Sequence, residues 1–129
     1  MAMKALLQDR NILVVEDEYL IAYTMQCELQ NLGARVIGPV SSVKDALALL
    51  DSEPVDGATL DINLNDEKVF PVAEALTALG VPFVFMTGYS AANLPTTWQH
   101  ISRFEKPVHA SEAALALVHT DVPDCILQL

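Results

Sequence analysis

Short apolar runs alternate with helical periods along this chain. Asn11 to Glu16 is a near-continuous run of Ile, Leu and Val, which predicts a buried strand. From Glu18 to Leu32, Ile21, Met25, Leu29 and Leu32 recur at helical spacing, and Gly33 is placed to end that helix. Arg35 to Gly38 predicts a short second strand, stopped by Gly38-Pro39. A helix from Ser42 to about Leu50 puts Val43, Ala46, Leu47 and Leu50 on one side. Gly57 to Asp61 predicts the third strand. Pro71 suits the first turn of a helix ending at Gly80, with Val72, Ala75, Leu76 and Leu79 inward. Pro82 to Thr87 and Ile101 to Lys106 predict the fourth and fifth strands. Ser111 caps a final helix through about Val118, with Glu112 in its first turn. Periodicity fades between Gly88 and His100, so the fourth helix, which should join two parallel strands there, is short or mobile. The alternation as a whole predicts an α/β fold, a doubly wound parallel sheet of five strands with five helices.

Composition adds limits. The 129 residues fit a single domain over 1–129, with its core in about 11–118 and a tail over 119–129. That tail, with Val122, Ile126, Leu127 and Leu129, is expected to pack on its own domain. Hydrophobic residues make up 52% and charged residues 19%, enough to bury a core and unlike a disordered chain. The formal net charge is −10, with 17 acids against 7 lysines and arginines and no basic run. The charge therefore argues against nucleic acid as a partner; an acidic surface favours a cation or a basic protein, but usually serves only solubility. No stretch approaches the roughly 20 apolar residues that span a bilayer, so no membrane role is expected. The N-terminal residues lack the pattern of a signal peptide. Cys27 and Cys125 fit no metal or redox spacing and read as reduced thiols of a cytoplasmic protein. His100, His109 and His119 share no spacing and read as surface residues.

The chemistry gathers at strand ends. Glu16-Asp17 follows the first strand, Asp61 ends the third, Thr87 ends the fourth, and Lys106-Pro107 closes the fifth. In an open parallel sheet these C-terminal ends share one edge, where ligands bind. Three carboxylates crowded there repel one another, and a cation relieves the repulsion. Oxygen-only ligands favour a hard ion, and Mg2+ suits few carboxylates, several waters and a phosphate oxygen. Lys106 adds a mobile positive charge and Thr87 a hydroxyl donor. These are the parts of phosphoryl transfer, with a carboxylate such as Asp61 able to act as nucleophile and form an acyl phosphate.

With those residues in place, the chain resembles the receiver domain of bacterial response regulators, from about Asn11 to Val118. The resemblance implies strand order 2-1-3-4-5, the order of the chemotaxis regulator that is a standard doubly wound example. It implies that Asp61 accepts a phosphoryl group from a sensor histidine kinase. Asp17 would ligate Mg2+ directly, Glu16 largely through water, and the backbone carbonyl of Asn63 would complete the protein ligands. Thr87 would bond a phosphoryl oxygen, Lys106 would pair with the phosphoryl group, and the Lys106-Pro107 bond would be cis. The protein would be a switch, not an enzyme, catalysing only its own phosphorylation and dephosphorylation. Its partners would be the kinase and a downstream protein or histidine phosphotransferase, and it would be a monomer or weak dimer.

A narrower likeness lies in Gly80-Val81-Pro82-Phe83-Val84-Phe85-Met86-Thr87-Gly88-Tyr89, which resembles the subfamily named for a FATGUY signature. Here Met86 stands for the Ala, nothing separates Gly88 from Tyr89, and the proline usual four residues after the phosphoacceptor is absent. Arg103 occupies the position of the usual switch aromatic, leaving Tyr89 or Phe104 as its substitute. A dehalogenase-like phosphatase would need a second Asp where Asn63 stands. A flavodoxin would need a Gly-rich phosphate loop where Glu16-Asp17-Glu18 stands. The remaining alternative is a pseudo-receiver that binds partners without phosphorylation.

Overall fold

Strand β1 (Asn11–Val15) sends Leu13 and Val15 into one apolar cluster and Ile12 and Val14 into another. Side chains alternate faces along a strand, so an unbroken apolar run needs cover on both sides. The computed structural model describes residues 6–87, 94–106 and 110–120, and supplies that cover as two helical layers. Helices α1 (Tyr19–Asn31) and α4 (Ala110–Thr120) bury Met25, Leu29, Ala113, Ala114 and Leu117 on one face. Helices α2 (Val43–Ser52) and α3 (Phe70–Leu79) bury Ala46, Val72, Ala73 and Leu76 on the other.

The strands between them are β2 (Arg35–Val40), β3 (Gly57–Asp61), β6 (Phe83–Thr87) and β7 (Arg103–Glu105). All pairings are parallel, in the order β2-β1-β3-β6-β7, which is 2-1-3-4-5 when the sheet's own strands are counted. Gly57 lies in β3 where an added Cβ would meet Ile12 at 3.1 Å and Leu117 at 3.5 Å, so α4 approaches the sheet there at close range.

Several expectations shift. Strand β2 does not stop at Gly38-Pro39. It passes through them as a bulge, with Gly38 at φ +94 and a cis Gly38-Pro39 bond, and rejoins β1 as Val40 opposite Val15. A short hairpin, β4 (Asn63–Leu64) and β5 (Glu67–Lys68), follows β3 directly and was not legible in the pattern. In α3, Ala73 is buried where Ala75 was expected to be, and Leu79 is 60% exposed. Gly80 ends that helix in the left-handed region, at φ +72. Ser42 caps α2, its hydroxyl accepting the Asp45 N–H at 3.1 Å. Ser111 lies inside α4 and is not its cap, because the helix begins at Ala110. The described part of the β6–β7 connection holds a 3-10 turn, Thr96–Trp98, and the rest of the stretch expected to carry the fourth helix lies outside the described residues. Trp98 is buried there among Phe70, Phe83 and Phe85, stacking on Phe70 with centroids 6.1 Å apart. Residues 88–93, the Lys106-Pro107 bond and the tail beyond residue 120 lie outside the described residues, and with them Tyr89 and the expected cis bond.

Candidate metal and phosphoryl site

Glu16, Asp17, Asp61, Thr87 and Lys106 meet at one sheet edge because each lies at or just past the end of a strand. Glu16 continues β1, its N–H donating to Val40 O at 2.9 Å. Lys106 continues β7, its N–H donating to Thr87 O at 2.8 Å. That bond holds the lysine backbone beside the end of β6. Asp61 pairs in register with Met86, so Thr87 lies one step beyond it on the neighbouring strand. Thr87 and Asp61 are each 4% exposed and Glu16 is 5% exposed.

The Lys106 ammonium is shared by these acids. Its Nζ lies 2.8 Å from Glu16 Oε2, 3.1 Å from Asp61 Oδ2 and 3.9 Å from Glu18 Oε2. Burial alone would weaken the ammonium, but Glu16 and then Asp61 more than offset this and hold its pKa above the ordinary lysine value. Carboxyl oxygens of Glu16, Asp17 and Asp61 lie within 4.8 Å of one another. One ammonium cannot neutralise three carboxylates, and the electrostatics show it. The Asp61 carboxyl is pushed up to about 8, first by burial, then by its hydrogen bond with Asp17 and by Glu16, against the opposing pull of Lys106. Burial also pushes the Asp17 carboxyl up, but hydrogen bonds from Asp61 and the Asn65 N–H outweigh it and hold Asp17 below the ordinary value. The two acids are thus pulled apart in pKa, Asp61 holding its proton more tightly than an ordinary carboxyl and Asp17 less tightly. Oxygen ligands in this number, with excess negative charge, fit a hard divalent cation in the proton's place.

Three groups at the site escaped the sequence reading. Asn65 N–H donates to Asp17 Oδ2 at 2.8 Å, Lys68 Nζ bonds Asn63 Oδ1, and Glu18 reaches towards Lys106. The first two depend on the hairpin, whose two-residue strands are too short to carry a period. Asn63 itself sits against the phosphoacceptor candidate, its N–H donating to Asp61 Oδ1 at 3.3 Å. The structure does not bring Arg103 or Phe104 into this cluster. Arg103 is exposed and donates to Gln99 O at 3.3 Å, while Phe104 packs half-buried on the α1–α4 face.

No family model matches the chain, and no curated protein sequence matches it. Solved structures do. SdrG from Sphingomonas melonis Fr1 is 39% identical, with 88% of this chain and 98% of that chain covered and a TM-score of 0.77. The BeF3-activated conformation of SdrG from Pseudomonas melonis Fr1 is 34% identical over 88% of this chain and 96% of that one, with a TM-score of 0.72. A CheY-like receiver domain from Methylobacillus flagellatus is 25% identical over 88% and 99%, with a TM-score of 0.74. The sheet order, the acid cluster at its edge and these likenesses agree: the chain belongs to the CheY-like response regulator receiver domains.

Proposed function

We propose that this receiver accepts a phosphoryl group on Asp61 from a sensor histidine kinase, in a Mg2+-dependent reaction. It then switches binding of a downstream protein or passes the group to a histidine phosphotransferase. The observation that carries this reading is a buried Asp61 with Lys106 Nζ at 3.1 Å and two further carboxylates within 4.8 Å. An Asp61 oxygen attacks the phosphorus, the bond from phosphorus to the donor histidine nitrogen breaks, and the imidazole leaves with that electron pair. Asp17 and Asp61 would hold Mg2+ directly, Glu16 largely through water, and the Asn63 carbonyl would complete the set. When bound, Mg2+ supplies positive charge to the phosphoryl oxygens. Lys106 stays at the site and pairs with the product, and the Thr87 hydroxyl donates to a phosphoryl oxygen.

The BeF3-activated state of SdrG supports the reading, since beryllofluoride mimics an acyl phosphate. The likeness of the Gly80 to Tyr89 segment to the FATGUY signature supports a reading as a member of that subfamily. The chain does no chemistry on another substrate, and its place is the cytoplasm, where kinase and phosphodonor meet. No described helix is long and apolar enough to cross a membrane. Incubation with acetyl phosphate and Mg2+ tests the reading by intact mass. One added phosphoryl group, lost when EDTA is present from the start, is expected. Equal uptake with EDTA would contradict the metal requirement.

A further inference from the structure

The hairpin beside the site carries a second lysine. Lys68 Nζ bonds Asn63 Oδ1, and Asn63 N–H bonds Asp61 Oδ1 at 3.3 Å, so the ammonium stands two links from the phosphoacceptor. Lys68 is exposed, yet the hairpin that carries it is tied down at its turn and at Glu67. Asn65, at φ +52 in the turn, donates its N–H to Asp17 Oδ2 at 2.8 Å. Glu67 Oε2 accepts the Val43 N–H at 3.1 Å, tying the hairpin to the first residue of α2. The lysine stem is thus anchored on a rim otherwise rich in carboxylates, while among the described residues its head bonds a neutral amide.

A phosphoryl group adds up to about two negative charges. Lys106 already serves Glu16 and Asp61. An ammonium bonded to an amide oxygen gains from exchanging that partner for an anionic oxygen, because charge-assisted bonds are roughly twice as strong. We propose that Lys68 is a second phosphoryl-binding cation, parked on Asn63 in the resting protein and transferred to the phosphoryl oxygens when Asp61 is modified. Its departure frees the Asn63 amide and loosens a cross-strand contact within the hairpin, so that phosphorylation is sensed by the segment that also contacts α2.

This inference rests on the phosphoacceptor reading, and its test separates the two. The full chain is titrated with beryllofluoride at saturating Mg2+, and separately with Mg2+ alone, following amide chemical shifts. Removing a cation weakens an anion and does not weaken a cation. Lys68→Gln should therefore bind beryllofluoride about three- to tenfold more weakly and Mg2+ as tightly as wild type or more so. Lys68→Arg, which keeps the charge, should stay within about twofold of wild type for both, and added salt should narrow the gap between Gln and wild type. Unchanged beryllofluoride affinity in Lys68→Gln would overturn the proposal. So would a parallel loss of Mg2+ affinity, the mark of a damaged hairpin, or an equal loss in Lys68→Arg. If wild type itself binds no beryllofluoride, the phosphoacceptor reading fails first.

Discussion

Asp61 and Lys106 set the behaviour of the site before any ligand arrives. Without metal the Asp61 carboxyl titrates at about 8, chiefly because it is buried. An unfolded aspartate titrates near about 3.9. Between those values the native state keeps a proton that the unfolded chain has released. The contribution of Asp61 to stability of the metal-free protein therefore falls as pH rises from about 4 to about 8, by at most about 1.4 kcal/mol per pH unit. Asp17 acts in the opposite sense and lower down: its depressed pKa contributes stability above the unfolded value that is lost as pH falls through the folded one. Urea denaturation in EDTA at mildly acidic and mildly alkaline pH measures the first effect. Asp61→Asn should flatten the decline, and an undiminished decline would assign it to another group. Lys106→Met should destabilise by about 1–3 kcal/mol, because it strands Glu16 and Asp61 without their shared donor. That loss should grow with pH as Asp61 ionises, and denaturation midpoints at the two pH values test the trend.

Elements differ in how plainly the chain announces them. The strand ends at Asp61 and Thr87 were legible because a buried parallel strand is an apolar run and its first polar residue marks the edge. Helices α1 and α2 were legible from their spacing. Strand β2 was cut short because Gly38-Pro39 reads as a stop, whereas a bulge lets the chain absorb both residues and resume pairing at Val40. The hairpin was invisible because two-residue strands have no measurable alternation. With it went Lys68 and the Asn65 contact to Asp17. Trp98 was unread for a related reason: a 3-10 turn has no 3.6 period, so its anchoring role shows only in space. Phe70, Phe83, Phe85 and Trp98 form one aromatic group that ties this turn to α3 and β6. Trp98→Ala should cost about 3–5 kcal/mol. Urea denaturation followed by far-ultraviolet circular dichroism checks this. A cost under about 1 kcal/mol would mean that the turn does not hold this edge of the sheet.

At the scale of the whole molecule, two helical layers fix five strand ends so that acids distant in sequence converge. A cation that binds only the folded protein adds RT ln(1 + [L]/Kd) to its stability, about 2.7 kcal/mol when the ion is at 100 times Kd. Mg2+ should therefore raise the melting temperature, and Asp17→Asn should lose most of that rise; a full rise in Asp17→Asn would remove Asp17 from the ligands. The central claim is the phosphoryl group on Asp61, and its chemical trace tests it most directly. Borohydride reduces an aspartyl phosphate to homoserine. After treatment with acetyl phosphate and Mg2+, then borohydride, tandem mass spectrometry of the digested protein should find homoserine at position 61 and, in Asp61→Asn, at no position. Homoserine at another aspartate in the wild-type protein, with Asp61 unmodified, would contradict the account.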